Sequence, residues 1–275
     1  MGKLTETLEK VSKGSGGGMG FGRPRAQAKP RAAGVIVALG QADAGLAEAV
    51  AKAGVEGAIF TAQRGKTGKA AVSAEEYRKA AEPLKAASLP WGIDLSEVVS
   101  VLEPETLKAL REGGADFVSF PLSAPARLLQ ERPEGLDRII SLGSLSDDPM
   151  LMLARSVNLL SVQVAQFDFG LTPERLRALT IEDLLRYRML RETIRFPALV
   201  SVQGDLGAEE ARTLVKLGAS ALLAQTEAGV TASALSKRLI ALREELERVP
   251  TREDEEETPS LTMFQGTSPK GESQH

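Results

Sequence analysis

Five side chains suited to binding or proton transfer recur at one kind of position in this sequence. Gln63, Asp94, Gln163, Gln203 and Gln225 each lie at, or just past, the end of a short apolar run. An amide offers donors and an acceptor together and so orients a planar polar ligand. A carboxyl sunk at the same level gains a raised pKa and serves as general acid or base, which makes Asp94 the candidate catalytic residue. Asp168, Asp205 and Glu227 fall at comparable places. Such oxygens are able to hold Mg²⁺, but capping of the helices that follow is the plainer role, and no metal is expected. The chain has no cysteine, and its one histidine is His275. A thiolate nucleophile, a disulfide, a Cys/His zinc site and a Ser-His-Asp triad are thereby excluded. No lysine lies inside any of the apolar runs, which argues against Schiff-base chemistry.

A cationic loop, Gln63-Arg64-Gly65-Lys66-Thr67-Gly68-Lys69, follows the second run. It is not a nucleotide-binding P-loop, since Phe60 stands where the upstream glycine belongs. Arg64 and Lys66 are candidates for closing over an anionic group; a solvated loop is the alternative.

The elements that must position these residues follow from a repeating order. Apolar runs at 35–39, 57–61, 91–95, 116–120, 138–142, 160–164, 198–202 and 221–225 read as strands. Helical patterns at 42–53, 74–87, 104–112, 148–157, 173–194, 208–217 and 232–246 alternate with them, with a barely two-turn stretch at 126–131. Ser73 and Thr172 stand at helix starts, and Gly54, Gly113 and Gly218 at helix ends. Strict alternation over eight units implies a closed parallel (β/α)8, or TIM, barrel. In Ser161-Val162-Gln163-Val164 and Ser201-Val202-Gln203-Gly204, valine marks one face and Ser/Gln the other. This phase turns Ser161, Gln163, Ser201 and Gln203 inward, together with Ala38, Thr61, Gln63, Gly92, Asp94, Ser119, Ser141 and Gln225. Small polar interiors leave room for a ligand at the C-terminal ends of the strands, where barrels place their sites; alternatively the side chains satisfy one another and ordered water.

Two segments fall outside the alternation. Residues 1–31 combine a short amphipathic stripe, Leu4, Leu8 and Val11, with a Gly/Pro-rich basic linker over 14–31. Residues 250–275 form an acidic tail, read as disordered, that carries Leu261, Met263 and Phe264. The barrel domain is expected over 32–249.

The segment 196–229, FPALVSVQGDLGAEEARTLVKLGASALLAQTEAG, resembles the strand 7–helix 7–strand 8 unit of phosphate- and flavin-binding (β/α)8 barrels. The resemblance implies that loop amides around Gly204 and Gly207, and around Thr226 and Gly229, hold a phosphate. It also implies FMN as a cofactor and a flavin-dependent oxidoreductase as the first reaction class to consider. Asp205 and Glu227 depart from the pattern, and each repels an anion.

With 34 basic and 37 acidic residues, net charge −3, the composition gives no nucleic-acid footprint. No run reaches the roughly 20 apolar residues of a membrane span, and the first residues lack the apolar core of a signal peptide, so a cytoplasmic place is expected. The arginine-rich stretch 171–196 reads as a solvated helix, or else as a docking surface for an acidic partner. Two functions stay open: a barrel binding a small molecule with an anionic group at its C-terminal face, or a catalytically silent barrel that binds protein partners through its terminal segments.

Overall fold

The computed structural model describes residues 2–13, 31–63, 72–143 and 149–250. Eight parallel strands pair in chain order and close into a barrel. They are β1 (Gly34–Leu39), β2 (Gly57–Thr61), β3 (Trp91–Asp94), β4 (Phe117–Pro121), β5 (Asp137–Leu142), β6 (Val164–Leu171), β7 (Ala198–Val202) and β8 (Ala221–Gln225). Closure sets Gly34 beside Ala221 and Ala38 beside Gln225. The helices are α1 (Lys3–Lys13), α2 (Ala44–Ala53), α3 (Ala74–Ala80), α4 (Glu82–Ala86), α5 (Pro104–Glu112), α6 (Pro149–Val157), α7 (Pro173–Arg177), α8 (Ile181–Thr193), α9 (Ala208–Lys216) and α10 (Ala232–Arg248). A 3₁₀ turn at Ala126–Leu129 takes the place of a helix after β4. This is the (β/α)8 TIM barrel that the alternation implies.

Period-two alternation divides the apolar residues between two cores. Val35, Val37, Phe60, Ile93, Val118, Phe120 and Leu222 pack outward under the helices. Ile36, Ile59, Phe117, Ile139, Val164, Leu199 and Leu223 fill the barrel itself. Burying each such side chain contributes about 1.5–3 kcal/mol. Gly92 is required by this packing, since a Cβ there would run into the ring and the carbonyl of Phe117 on β4.

Three expectations are corrected. The helix expected over 74–87 breaks at Ala81, because Pro83 has no N–H to continue the ladder. The helix expected over 173–194 divides at 178–180. Thr180 starts α8 with a capping box, accepting from Asp183 N–H while Asp183 accepts from its backbone. The sixth strand is displaced: it runs over Val164–Leu171, not 160–164. The Ser-Val-Gln triplet at 161–163 copies the pattern of 201–203, but Ser161 and Gln163 precede the strand rather than facing the interior.

The N-terminal stripe is spent inside the protein. Leu4 and Leu8 are fully buried in the interior cluster, so α1 stops the barrel from below. Asp137, at the foot of β5, caps this helix. Its carboxylate accepts from Gly2 N–H at 3.1 Å, and from Thr5 N–H and Thr5 Oγ1 at 3.0 Å each. A carboxylate at a helix N-terminus meets both the free N–H groups and the positive end of the dipole.

The lower edge also carries an alternating ring of side-chain caps. The residue just before each even-numbered strand accepts an N–H from the start of the preceding odd-numbered one. Glu56 accepts from Val35, Asp116 from Trp91, Gln163 from Arg138 and Ser220 from Ala198. These bonds satisfy strand-end donors that would otherwise be left without a partner.

Candidate functional site at the upper rim

The inward residues above the apolar core form a polar layer that bonds to itself. Ser119 Oγ donates to Gln166 Oε1 at 3.1 Å, and Gln166 Nε2 donates to Ser201 Oγ at 3.3 Å. All three are buried. Gln166 therefore holds the interior position expected of Gln163, which lies at the opposite end of the barrel as one of the lower caps. The signal for Gln166 was its place in the true strand, Val164-Ala165-Gln166-Phe167, where the flanking Ala165 and Phe167 face the helices.

Above this layer, Asp94 ends β3 half-buried. Its Oδ1 accepts from Ser96 N–H at 3.1 Å and from Ser96 Oγ at 2.7 Å. Burial pushes the carboxyl above the ordinary aspartate value; the Ser96 hydrogen bonds oppose this, and the charges of Glu97 and Asp168 reinforce it. Asp168 stands on β6, its carboxylate taking the N–H of Gly170 at 3.2 Å. The four rim acids do not converge. Among the described residues, no group of three or more His, Cys, Asp or Glu side chains is placed to hold a metal ion.

The expected anion cradle at the ends of β7 and β8 is occupied differently from the resemblance. The N–H of Gly207 donates to Glu210 at 3.0 Å. Thr226 gives both its N–H, at 3.2 Å, and its hydroxyl, at 2.8 Å, to the carbonyl of Ala38. Gly204 and Gly229 take left-handed conformations, φ +73° and +77°, that turn the chain sharply after each strand. Gln203 is exposed and Gln225 half-buried. Gln63, exposed after β2, donates its amide to Gly40 O at 2.8 Å. Arg64 and Lys66 lie outside the described residues.

What unites the two strand ends is Arg238, on α10. Its guanidinium donates to the carbonyl of Gln225 at 3.0 Å and to the carbonyl of Gly204, and pairs with Asp205 at 3.0 Å. Its side chain is largely buried while Asp205 is 88% exposed, so the acid is the solvent-facing partner of the pair. Three adjoining concavities meet here. One of about 420 Å³ is lined by Gly204, Asp205, Lys237 and Arg238. A second, about 460 Å³, opens toward Thr172, Arg177, Gln203 and Glu227. The third, about 210 Å³, lies between Asp205, Glu227 and Val230. The three concavities bring the cations Arg177, Lys237 and Arg238 to one end of the barrel, set against the carboxylates of Glu174, Asp205 and Glu227. Arg238 carries no local motif, and only the fold brings it to the strand ends.

No family model matches the chain, and no curated protein is similar to it in sequence. Solved structures share its architecture. Tryptophan synthase from Mycobacterium tuberculosis is 13% identical with a TM-score of 0.63, over 90% of this chain and 98% of that one. Thiamine phosphate pyrophosphorylase from Pyrococcus furiosus is 14% identical with a TM-score of 0.54, over 78% and 95%. A 3-hexulose-6-phosphate synthase is 19% identical with a TM-score of 0.51, over 76% and 99%. At these identities the likeness is one of fold, that of the (β/α)8 TIM barrel.

Proposed function

We propose that this barrel binds a small molecule through its phosphate group, at the ends of β7 and β8. The observation that carries the reading is Arg238, held by two strand-end carbonyls and facing a concavity shared with Lys237. A guanidinium fixed by its own protein binds a phosphate without first losing side-chain freedom. Two of the structurally similar proteins are named for phosphorylated compounds, which supports the same ligand class. The uncharged part of the ligand would lie toward Gln203 and Gln225, with Asp94 as the group able to hold or move a proton.

FMN, the cofactor the resemblance implies, fits the site less well than a simple phosphate ester. The amides of Gly207 and Thr226 are engaged within the protein, and the Ser119–Gln166–Ser201 layer fills the barrel below. No flavin step is therefore derived. Native mass spectrometry of freshly purified protein tests both ideas. A retained phosphate-containing mass supports the reading, and absorbance in the flavin bands would restore FMN. A bare chain that takes up no phosphorylated compound on soaking removes both.

A second reading, a catalytically silent interaction barrel, is favoured by one observation. Ile181, Leu185 and Met189 on α8 and Leu159 after α6 are half or more exposed, a larger apolar display than solvent alone explains. Leu4 and Leu8 do not serve it, since both are buried in their own barrel.

A further inference from the structure

A groove of about 1020 Å³ opens on the outer flank between α8, α9 and the end of α10. Arg188 and Arg191 enter it from α8, and Arg212 and Lys216 from α9, against one acid, Glu192. Val249 and Pro250 form its end, and Pro250 is the last described residue. The chain leaves the described structure inside a basic groove, and the sequence that follows is Thr251-Arg252-Glu253-Asp254-Glu255-Glu256-Glu257. We propose that this acidic run lies in the groove of its own chain, and that Leu261, Met263 and Phe264 cover the exposed stripe of α8.

Three observations carry the proposal. Charge is the first: consecutive carboxylates meet Arg212 and Lys216 on α9 beside Arg191 and the Arg188–Glu192 pair on α8, a groove lined by four cations and one acid. Reach is the second. At roughly 3.3 Å per extended residue, the whole run stays within about 25 Å of Pro250. Tethering so short sets an effective concentration near the millimolar range, so contacts that are individually weak are enough. Continuity is the third. Ile181, Leu185 and Met189, exposed by 78%, 57% and 50%, recur every four residues along α8 and lead to Arg188 and Glu192 at the groove. An apolar cluster a few residues beyond the acids meets that stripe when the acids are seated.

Zero-length carbodiimide coupling of the full chain tests this, with light and heavy isotopic copies mixed beforehand. The expected product joins Lys216 to a carboxylate of 253–257 in peptides of a single isotope. Its yield should fall at least about fivefold in about 0.5 M salt, where screening shortens the reach of each charge. The variants Arg212→Glu and Arg188→Glu should each lower it as well, the second serving where the first fails to fold. Hydrogen exchange in α8 should also speed up in a chain ending at Pro250. Mixed-isotope products would mean that the tail seats on a second copy, and would overturn the proposal. So would the absence of the Lys216 product, or a yield indifferent to both variants.

Discussion

The backbone N–H and the hydroxyl of Thr5 both donate to the Asp137 carboxylate at 3.0 Å, tying the first helix to the foot of a strand 132 positions later. With Leu4 and Leu8 buried above that bond, α1 is part of the barrel core rather than an appendage. Truncating Leu8 to alanine should cost about 2–5 kcal/mol, as for other filled cores. Asp137→Ala should cost about 1–3 kcal/mol by stranding its donors. Urea denaturation followed by circular dichroism measures both, and neither substitution should weaken ligand binding at the opposite end.

Asp205 pairs with Arg238, the group proposed to hold the phosphate. Asp205→Asn keeps the side-chain shape but removes the charge. Affinity for inorganic pyrophosphate should rise by about 3- to 10-fold, equivalent to about 0.7–1.4 kcal/mol. Isothermal titration reads the change, and a drop in affinity would show that the acid assists binding instead.

Asp94 gives the rim a pH dependence of known sign. Its folded-state pKa is raised, so the native state holds that proton more tightly than the unfolded chain. The stabilising contribution of this group is full at acid pH and is lost as pH rises from about 4 through the raised folded value. Burial likewise pushes Glu56 and Asp116 upward, so the effect must be read as a difference between variants. Asp94→Asn should flatten the fall in melting temperature between about pH 4 and pH 8 relative to the parent. Parallel melting curves for the two proteins across that range would contradict the assignment.

Gln163 belongs to the lower edge, where its carbonyl takes the N–H of Arg138 at 2.8 Å. Gln163→Leu should lower stability by about 1–2 kcal/mol through that stranded donor. Binding of phosphate compounds should be unchanged, whereas a loss of binding would return the residue to the rim.

The architecture was legible because burial on two faces writes itself as apolar runs, and helices between parallel strands as a 3.6-residue period. Seven of the eight expected strands overlie the observed ones nearly end to end. The sixth was misplaced because Ser161-Val162-Gln163 imitates Ser201-Val202-Gln203, while the real strand mixes aromatic residues with Gln166 and Asp168. The phase taken from β7 nonetheless puts Ser119, Ser201 and Asp94 at inward positions. Arg238 was illegible for a different reason: a long side chain on a helix reaches strand ends that only closure of the barrel brings together. The lower caps had a trace in the sequence, since Glu56, Asp116, Gln163 and Ser220 each stand one residue ahead of a strand. Their common purpose appears only when neighbouring strands are set in register.

Matched titrations decide whether the β7–β8 rim recognises a phosphate. Thiamine phosphate against thiamine, and FMN against riboflavin, differ only in that group. Calorimetry should give at least one phosphorylated member binding about 10-fold or more tighter than its partner, with the gap closed in Lys237→Ala and narrowed in Arg238→Lys. Equal affinities within both pairs, or a phosphate preference untouched by the two variants, would mean that Arg238 and Lys237 form no phosphate site.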